Sequence, residues 1–146
     1  KTITRQAAAD ALAVMRSKGL RVKSVIFTAK EKICCLDTPE CTPLTCPRAA
    51  GHFDRINEAL YALLTSGDHL DREAIAEAAE RFGVCPFELS LDLSEWCDII
   101  ICDYNYLFDP VVSLKRYFSE GKTDFTFLID EPITFPREGG KCIRQS

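Results

Sequence analysis

Residues 84–110 read VCPFELSLDLSEWCDIIICDYNYLFDP and contain two predicted secondary-structure elements in direct succession. Residues 86–96 are predicted to form a helix. Residues 98–102 (DIIIC) are a short unbroken apolar run, which is typical of a strand buried on both faces. A helix that leads into a buried strand indicates an α/β fold.

The same alternation continues towards the N-terminus. Residues 5–18 are rich in helix formers, Gly19 is suited to end a helix, and residues 22–29 (VKSVIFTA) are predicted to form a short strand. Four apolar residues fall on one stripe of the predicted helix: Ala8, Ala11, Leu12 and Met15.

Further elements are predicted on the C-terminal side and in the middle of the chain. Residues 110–119 form a predicted helix, and residues 125–129 (FTFLI) a second buried strand. In the middle, a helix is predicted over 52–65, and another runs from Asp71 as N-cap to Gly83. The prediction is a parallel α/β sheet interrupted by a mostly helical, cysteine-bearing insert.

Composition narrows the class of protein. Hydrophobic residues make up 47% of the 146 residues, enough for a core, and no apolar run approaches the roughly 20 residues that span a bilayer. The first residues lack a secretion signal, so we expect a soluble, cytoplasmic protein. The net charge of −4 argues against a small domain whose whole surface binds nucleic acid.

Four of the eight cysteines form the main chemical signal: Cys34, Cys41, Cys46 and Cys85. Six, four and 38 residues separate them, and a proline follows the third and the fourth. Four converging thiolates could hold a [4Fe–4S] cluster, or zinc in a tetrahedron. The spacing alone leaves both open.

The remaining cysteines and the histidines carry weaker signals. Cys97 and Cys102 lie next to or inside an apolar strand and are interpreted as buried thiols that behave as small apolar residues. Cys35 is either a spare thiol or an alternative first ligand. His52 and His69 are interpreted as structural or exposed.

Longer strings carry a resemblance to a known family. KEKIC (30–34), CPRAAGHFDRINEAL (46–60), the stretch 84–110 quoted above and FLIDE (127–131) together resemble the bacterial XPD/DinG branch of superfamily 2 iron–sulfur DNA helicases. The resemblance implies a partial RecA-like motor domain 1 formed by residues 1–30 and 86–131. It also implies an iron–sulfur insert at 31–85.

The resemblance further implies roles for individual residues. The four cysteines named above would hold the cluster, Asp130 would hold Mg²⁺ through water, and Glu131 would orient the attacking water. The opening KTITR resembles the end of a DNA-contacting motif, so Thr2 and Thr4 would touch DNA phosphates. Four basic residues either line the path of a single strand or are solvated surface charges: Lys30, Lys32, Arg48 and Arg55.

The parent protein would then be an ATP-dependent helicase that moves 5′ to 3′ on single-stranded or forked DNA. The chain departs from the family in having no phosphate-binding Gly-x-x-x-x-Gly-Lys-[Ser/Thr] loop. We therefore expect the isolated chain to be an internal fragment that lacks other motor and Arch segments and does not hydrolyse ATP.

The tail, residues 132–146 (PITFPREGGKCIRQS), does not resemble the family. A single-base deletion in a family-like coding sequence reproduces most of it, so our hypothesis is an out-of-frame translation in which Cys142 has no function. The main alternative for the whole chain is a stand-alone zinc- or cluster-binding module that interacts with DNA or protein. A ferredoxin-like redox carrier is disfavoured, because one ligand lies 38 residues from the others.

Overall fold

The computed structural model describes residues 2–36, 41–103, 106 and 126–128, with side chains from Arg5 onwards. In chain order the elements are α1 (Thr2–Ser17), β1 (Ser24–Ile26), α2 (Lys30–Ile33), α3 (His52–Ser66), β2 (His69–Leu70), α4 (Arg72–Phe82), α5 (Pro86–Ser94) and β3 (Ile99–Ile101). No helix in these residues is long and apolar enough to cross a bilayer.

The described strands form one parallel sheet in the order β2-β1-β3. Ser24 is level with His69 on one side and with Ile99 on the other, so the central strand is the predicted one near residue 25. The parallel α/β prediction is confirmed for this sheet. Strand β2 was not predicted, because two residues are too few to give a pattern.

Arg16 connects the starts of β1 and β2, at the edge of the sheet where the parallel strands begin. Its guanidinium donates hydrogen bonds to the Ser24 hydroxyl (2.7 Å), the Asp68 carbonyl (2.8 Å) and the Val22 carbonyl (3.0 Å). One side chain from α1 therefore satisfies polar groups that precede both β1 and β2.

The helices that surround the cysteines begin and end where local sequence predicts. The Asp71 carboxylate accepts a hydrogen bond of 2.9 Å from the Ala74 amide, as an N-cap does. Gly83 ends α4 with φ at 68°, a left-handed conformation that glycine adopts without a Cβ clash. Pro86 stands at the first turn of α5, where a missing N–H costs nothing.

The core lies between the sheet and helices α3, α4 and α5. Val25 and Phe27 contribute from β1 and its continuation, and the Phe27 ring lies 5.6 Å from that of Tyr106. The same cluster contains residues on both sides of the predicted insert limits, among them Ile33, Leu63, Leu70, Val84 and Leu89. Residues 31–85 therefore share one core with the flanking elements.

One prediction about burial is wrong, and the apolar stripe of α1 is buried only in part. Within that stripe Leu12 is buried, but Ala11 and Met15 are exposed. Residues 126–128 of the predicted buried strand lie outside any strand, and Leu128 is exposed. An apolar run is buried only where another layer covers it, which the run itself does not reveal. The predicted helix 110–119 lies outside the described residues.

Candidate four-cysteine site

Two of the four cysteines are fixed by helix ends. Cys34 follows α2 as its C-cap residue, and its amide donates a hydrogen bond of 2.8 Å to the Lys30 carbonyl. Cys85 is the N-cap residue of α5. Helices α2 and α5 contact each other, and the Lys30 ammonium lies 5.8 Å from the centre of the Phe87 ring. Both thiols are half-buried.

The other two cysteines belong to residues 41–51, which we call the Cys46 loop. The Cys46 amide donates a hydrogen bond of 2.8 Å to the Thr42 carbonyl, and the Cys46 carbonyl accepts bonds from the Ala49 and Ala50 amides. These consecutive turns leave Cys46 buried, with 7% of its surface exposed, whereas Cys41 is exposed.

Lys30 interacts electrostatically with two of the four thiols, Cys41 and Cys85. A hydrogen bond with the Cys41 side chain raises the pKa of Lys30, and the charges of Cys41, Cys85 and Glu88 raise it further, against partial burial. Burial raises the pKa of Cys85, the Glu88 and Phe87 amides oppose this, and Cys34 adds to the rise. Lys30 therefore interacts with Cys41 and Cys85, and Cys85 in turn interacts with Cys34.

The described side chains do not come together as a complete metal site. Within the described residues, no three His, Cys, Asp or Glu side chains are close enough together to hold a metal ion. All seven described cysteines are free thiols. The four-cysteine ligand set thus stays a prediction.

The thiols outside the predicted ligand set differ in exposure. Cys35 is exposed beside Cys34. Burial raises the pKa of Cys97 and of Cys102 to about 11, so both keep their protons at neutral pH. Protonated thiols of this kind are poor nucleophiles and poor metal ligands.

The basic residues predicted to line a DNA path fall into two groups. Lys32 is exposed, and its side chain makes no ion pair with the described residues. Arg48 instead donates to the Ala79 and Val84 carbonyls and pairs with Glu80. Arg55 donates to the Ala50 and Gly83 carbonyls.

Sequence reasoning missed a third arginine of this kind. The Arg72 guanidinium donates a hydrogen bond of 2.7 Å to the Lys32 carbonyl, two residues before Cys34. The two partners are 40 residues apart, and no local pattern in the sequence marks the pair.

The histidines have structural surroundings. His52 is buried at the start of α3, its Nε2 lies 3.8 Å from the Asp92 carboxylate, and its Nδ1 has no hydrogen-bond partner within the described part of the chain. His69 is half-buried, with Nδ1 3.1 Å from the Ser24 hydroxyl.

Several predicted site residues cannot be placed. Thr2 and Thr4 lie in α1, but their side chains are outside the described set. The predicted motor acids Asp130 and Glu131 and the whole tail from 132 to 146 are outside it as well.

Comparison with known proteins gives two matches. The family model described as DEAD_2 matches residues 4–132. Regulator of telomere elongation helicase 1 from Homo sapiens is 24% identical over 106 residues, which cover 65% of this chain and 9% of the relative. The chain therefore spans only about a tenth of the length of that relative.

Proposed function

Because the chain belongs to the DEAD_2 family, we propose that it is a segment of an ATP-dependent DNA helicase in which four cysteines hold a [4Fe–4S] cluster. The ligands would be Cys34, Cys41, Cys46 and Cys85. The observation that carries the cluster is the position of Cys34 and Cys85 at the ends of the contacting helices α2 and α5, with Lys30 of α2 interacting electrostatically with both Cys41 and Cys85.

The donor set fits the chemistry of a cluster. Fe–S clusters are held by cysteine thiolates, and the described ligand candidates are free thiols rather than disulfides. Lys30 supplies a positive charge that interacts with Cys41 and Cys85. The Glu88 and Phe87 amides at the start of α5 act to lower the pKa of Cys85, against the larger effect of burial.

A cluster bound there would supply covalent cross-links between three chain segments. The chain's own residues would do the rest of the work proposed for this region. Helices α3, α4 and α5 would carry the cysteine segments on a shared core, and Lys32 would offer an exposed charge to a DNA phosphate. A rigid body of this kind suits a guide or wedge for a single strand at a DNA fork.

The catalytic part of the proposal rests on the family resemblance. Asp130 would hold Mg²⁺ through water, and Glu131 would orient the attacking water. Movement 5′ to 3′, a cytoplasmic location and the domain limits at residues 30, 85 and 131 belong to the same proposal. The family match ends at residue 132, where the tail that we interpret as out of frame begins.

The test is the iron and acid-labile sulfide content of the chain after anaerobic reconstitution. Cys85→Ser is the informative variant, and Cys97→Ser is the matched control, because Cys97 is also half-buried but lies outside the ligand set. We expect roughly four irons and four sulfides per chain, lost in Cys85→Ser and kept in Cys97→Ser. Zinc without sulfide would replace this proposal with a zinc-binding module.

Binding of single-stranded DNA is the second part of the test. A labelled oligonucleotide titrated with the reconstituted chain should show binding that weakens with added salt, since phosphate contacts release counterions. A loaded cluster without any such binding would contradict the helicase role and favour a redox protein.

A further inference from the structure

We infer that Arg48 and Arg55 are positioning residues that hold the Cys46 loop in place against Cys85, rather than groups that bind DNA. The inference rests on the proposed four-cysteine site. The two guanidinium groups would hold that site together by connecting segments that are distant in sequence.

Arg48 connects the Cys46 loop to the segment before Cys85. It stands two residues after Cys46, and its Nη1 donates hydrogen bonds to the Ala79 carbonyl and, at 3.4 Å, to the Val84 carbonyl. Val84 immediately precedes Cys85. Only 16% of the Arg48 side chain is exposed, although Nη2 reaches the exposed Glu80 carboxylate at the surface. Both terminal nitrogens of Arg48 therefore donate hydrogen bonds to groups of this chain.

Arg55 makes a second connection between the same two segments. Its Nη2 donates a hydrogen bond of 2.6 Å to the Ala50 carbonyl, at the end of the Cys46 loop. The same nitrogen donates a bond of 2.9 Å to the Gly83 carbonyl, two residues before Cys85. Arg55 thus connects the loop and the C-terminus of α4 from the side of α3.

The chemistry of these contacts explains why arginine stands at both positions. The carbonyls that the two arginines bind, those of Ala79, Gly83 and Val84, lie in or directly after the last turn of α4, where a cation interacts favourably with the helix dipole. A planar guanidinium presents several N–H groups in a rigid fork, so one side chain binds two carbonyls together. The ammonium of a lysine would reach them with less geometric precision.

Arg72 makes a similar contact at the first ligand. It belongs to α4 and binds the Lys32 carbonyl two residues before Cys34. Helix α4 and the residues directly after it are therefore connected through arginines to the segments around Cys34 and Cys46, and Cys85 follows them in the chain. With these segments fixed in advance, less chain entropy is lost when the thiols take up a ligand.

The first experiment needs no metal. It measures how strongly Cys46 is protected from thiol labelling in the reduced chain. N-ethylmaleimide labelling is timed in native buffer, and each cysteine peptide is quantified by mass spectrometry. Loss of a hydrogen-bonded charged group should raise the Cys46 rate in Arg48→Ala about tenfold relative to Cys102. Arg55→Ala should act in the same direction, and Arg48→Lys should fall between wild type and Arg48→Ala.

Arg81→Ala is the matched control. Arg81 is in the last turn of α4 but is exposed and lies over the Phe82 ring, so its removal should leave Cys46 protected. Cys102, which follows β3 and packs half-buried against the core, reports whether the fold survives. If Arg48→Ala also raises the labelling rate of Cys102, the fold of that variant is disturbed. The ratio of the Cys46 rate to the Cys102 rate in Arg48→Lys and in Arg55→Ala then decides whether the positioning role holds.

Iron and sulfide content after reconstitution separates this inference from the proposed function. We expect Arg48→Ala to lose its iron to a chelator several-fold faster than wild type, with Arg48→Lys partly restoring retention. In one outcome, wild type takes up no iron while Cys46 still reacts faster in Arg48→Ala than in wild type. That result would remove the proposed cluster and leave the positioning role standing. Full iron uptake by wild type and unchanged Cys46 rates in both alanine variants would overturn the positioning role alone.

Discussion

The Arg5 guanidinium forms an ion pair with the Asp103 carboxylate, although 98 residues separate them in the chain. Arg5 lies in the first turns of α1, and Asp103 follows β3 at the edge where the parallel strands end. About a quarter of each side chain is exposed, 22% and 26%. The pair therefore fixes the start of α1, which holds Thr2 and Thr4, to the end of the sheet.

A double-mutant cycle on Arg5→Ala and Asp103→Ala should show coupling between the two residues. Each single change should lower the free energy of unfolding by about 1–2 kcal/mol, because it leaves a partly buried charge without its partner. The two losses should fall short of additivity by about 1 kcal/mol, measured by urea denaturation. Simple additivity would mean that the two groups stabilise the fold independently.

Gly83→Ala should destabilise the chain by about 1–2 kcal/mol. Gly83 has φ at 68°, and an added Cβ would lie 3.4 Å from the Arg55 Nε. Gly67→Ala is the control, because its φ of 176° is extended and a Cβ there meets nothing within 4 Å. Urea midpoints should fall for the first variant only; equal effects would show that the left-handed conformation is not what costs stability.

Local chemistry made part of this fold predictable. The cap at Asp71, the left-handed end of α4 at Gly83 and the apolar strand near residue 100 each depend on a few adjacent residues. The parallel arrangement followed from their alternation with helices. Strand β2 was missed because its two residues, His69 and Leu70, carry no period.

The roles of the arginines were not predictable from the sequence. Arg48 finds its partners 31 to 36 residues away, and Arg72 finds its partner 40 residues away. In the sequence alone, an arginine next to a cysteine motif is interpreted as a solvated surface charge, because the helix end that it binds is distant in the chain. The same holds for Cys41 and Cys85, which belong to separate segments that only folding brings near Lys30.

The stability of the chain should fall as pH rises from about 9 to about 11, in part because of Cys97 and Cys102. Burial raises the pKa of each from its ordinary value of 9.0 to about 11. Below pH 9 both states keep these protons, and the stabilisation is fully present. Between the two values the unfolded chain binds fewer protons than the folded chain, so stability falls with pH.

The measurement is the urea midpoint at a series of pH values for wild type and for the variant that combines Cys97→Ala with Cys102→Ala. The variant should lose stability with a shallower slope over this range. Cys35→Ala, which changes an exposed thiol, should follow wild type. Parallel curves for all three proteins would contradict the role of the buried thiols.

The salt dependence of DNA binding should distinguish Lys32 from Arg48. Lys32 is exposed and makes no ion pair with the described residues, so it is free to neutralise a phosphate. Lys32→Ala should lower the slope of log K against log salt concentration by about 0.7 for a single strand. Arg48→Ala should leave the slope unchanged, because its donors already bind carbonyls and Glu80. Lys18→Ala, an exposed change beyond the end of α1, is the control. A lower slope for Arg48→Ala in a folded sample would mean that this guanidinium leaves its carbonyls to meet DNA.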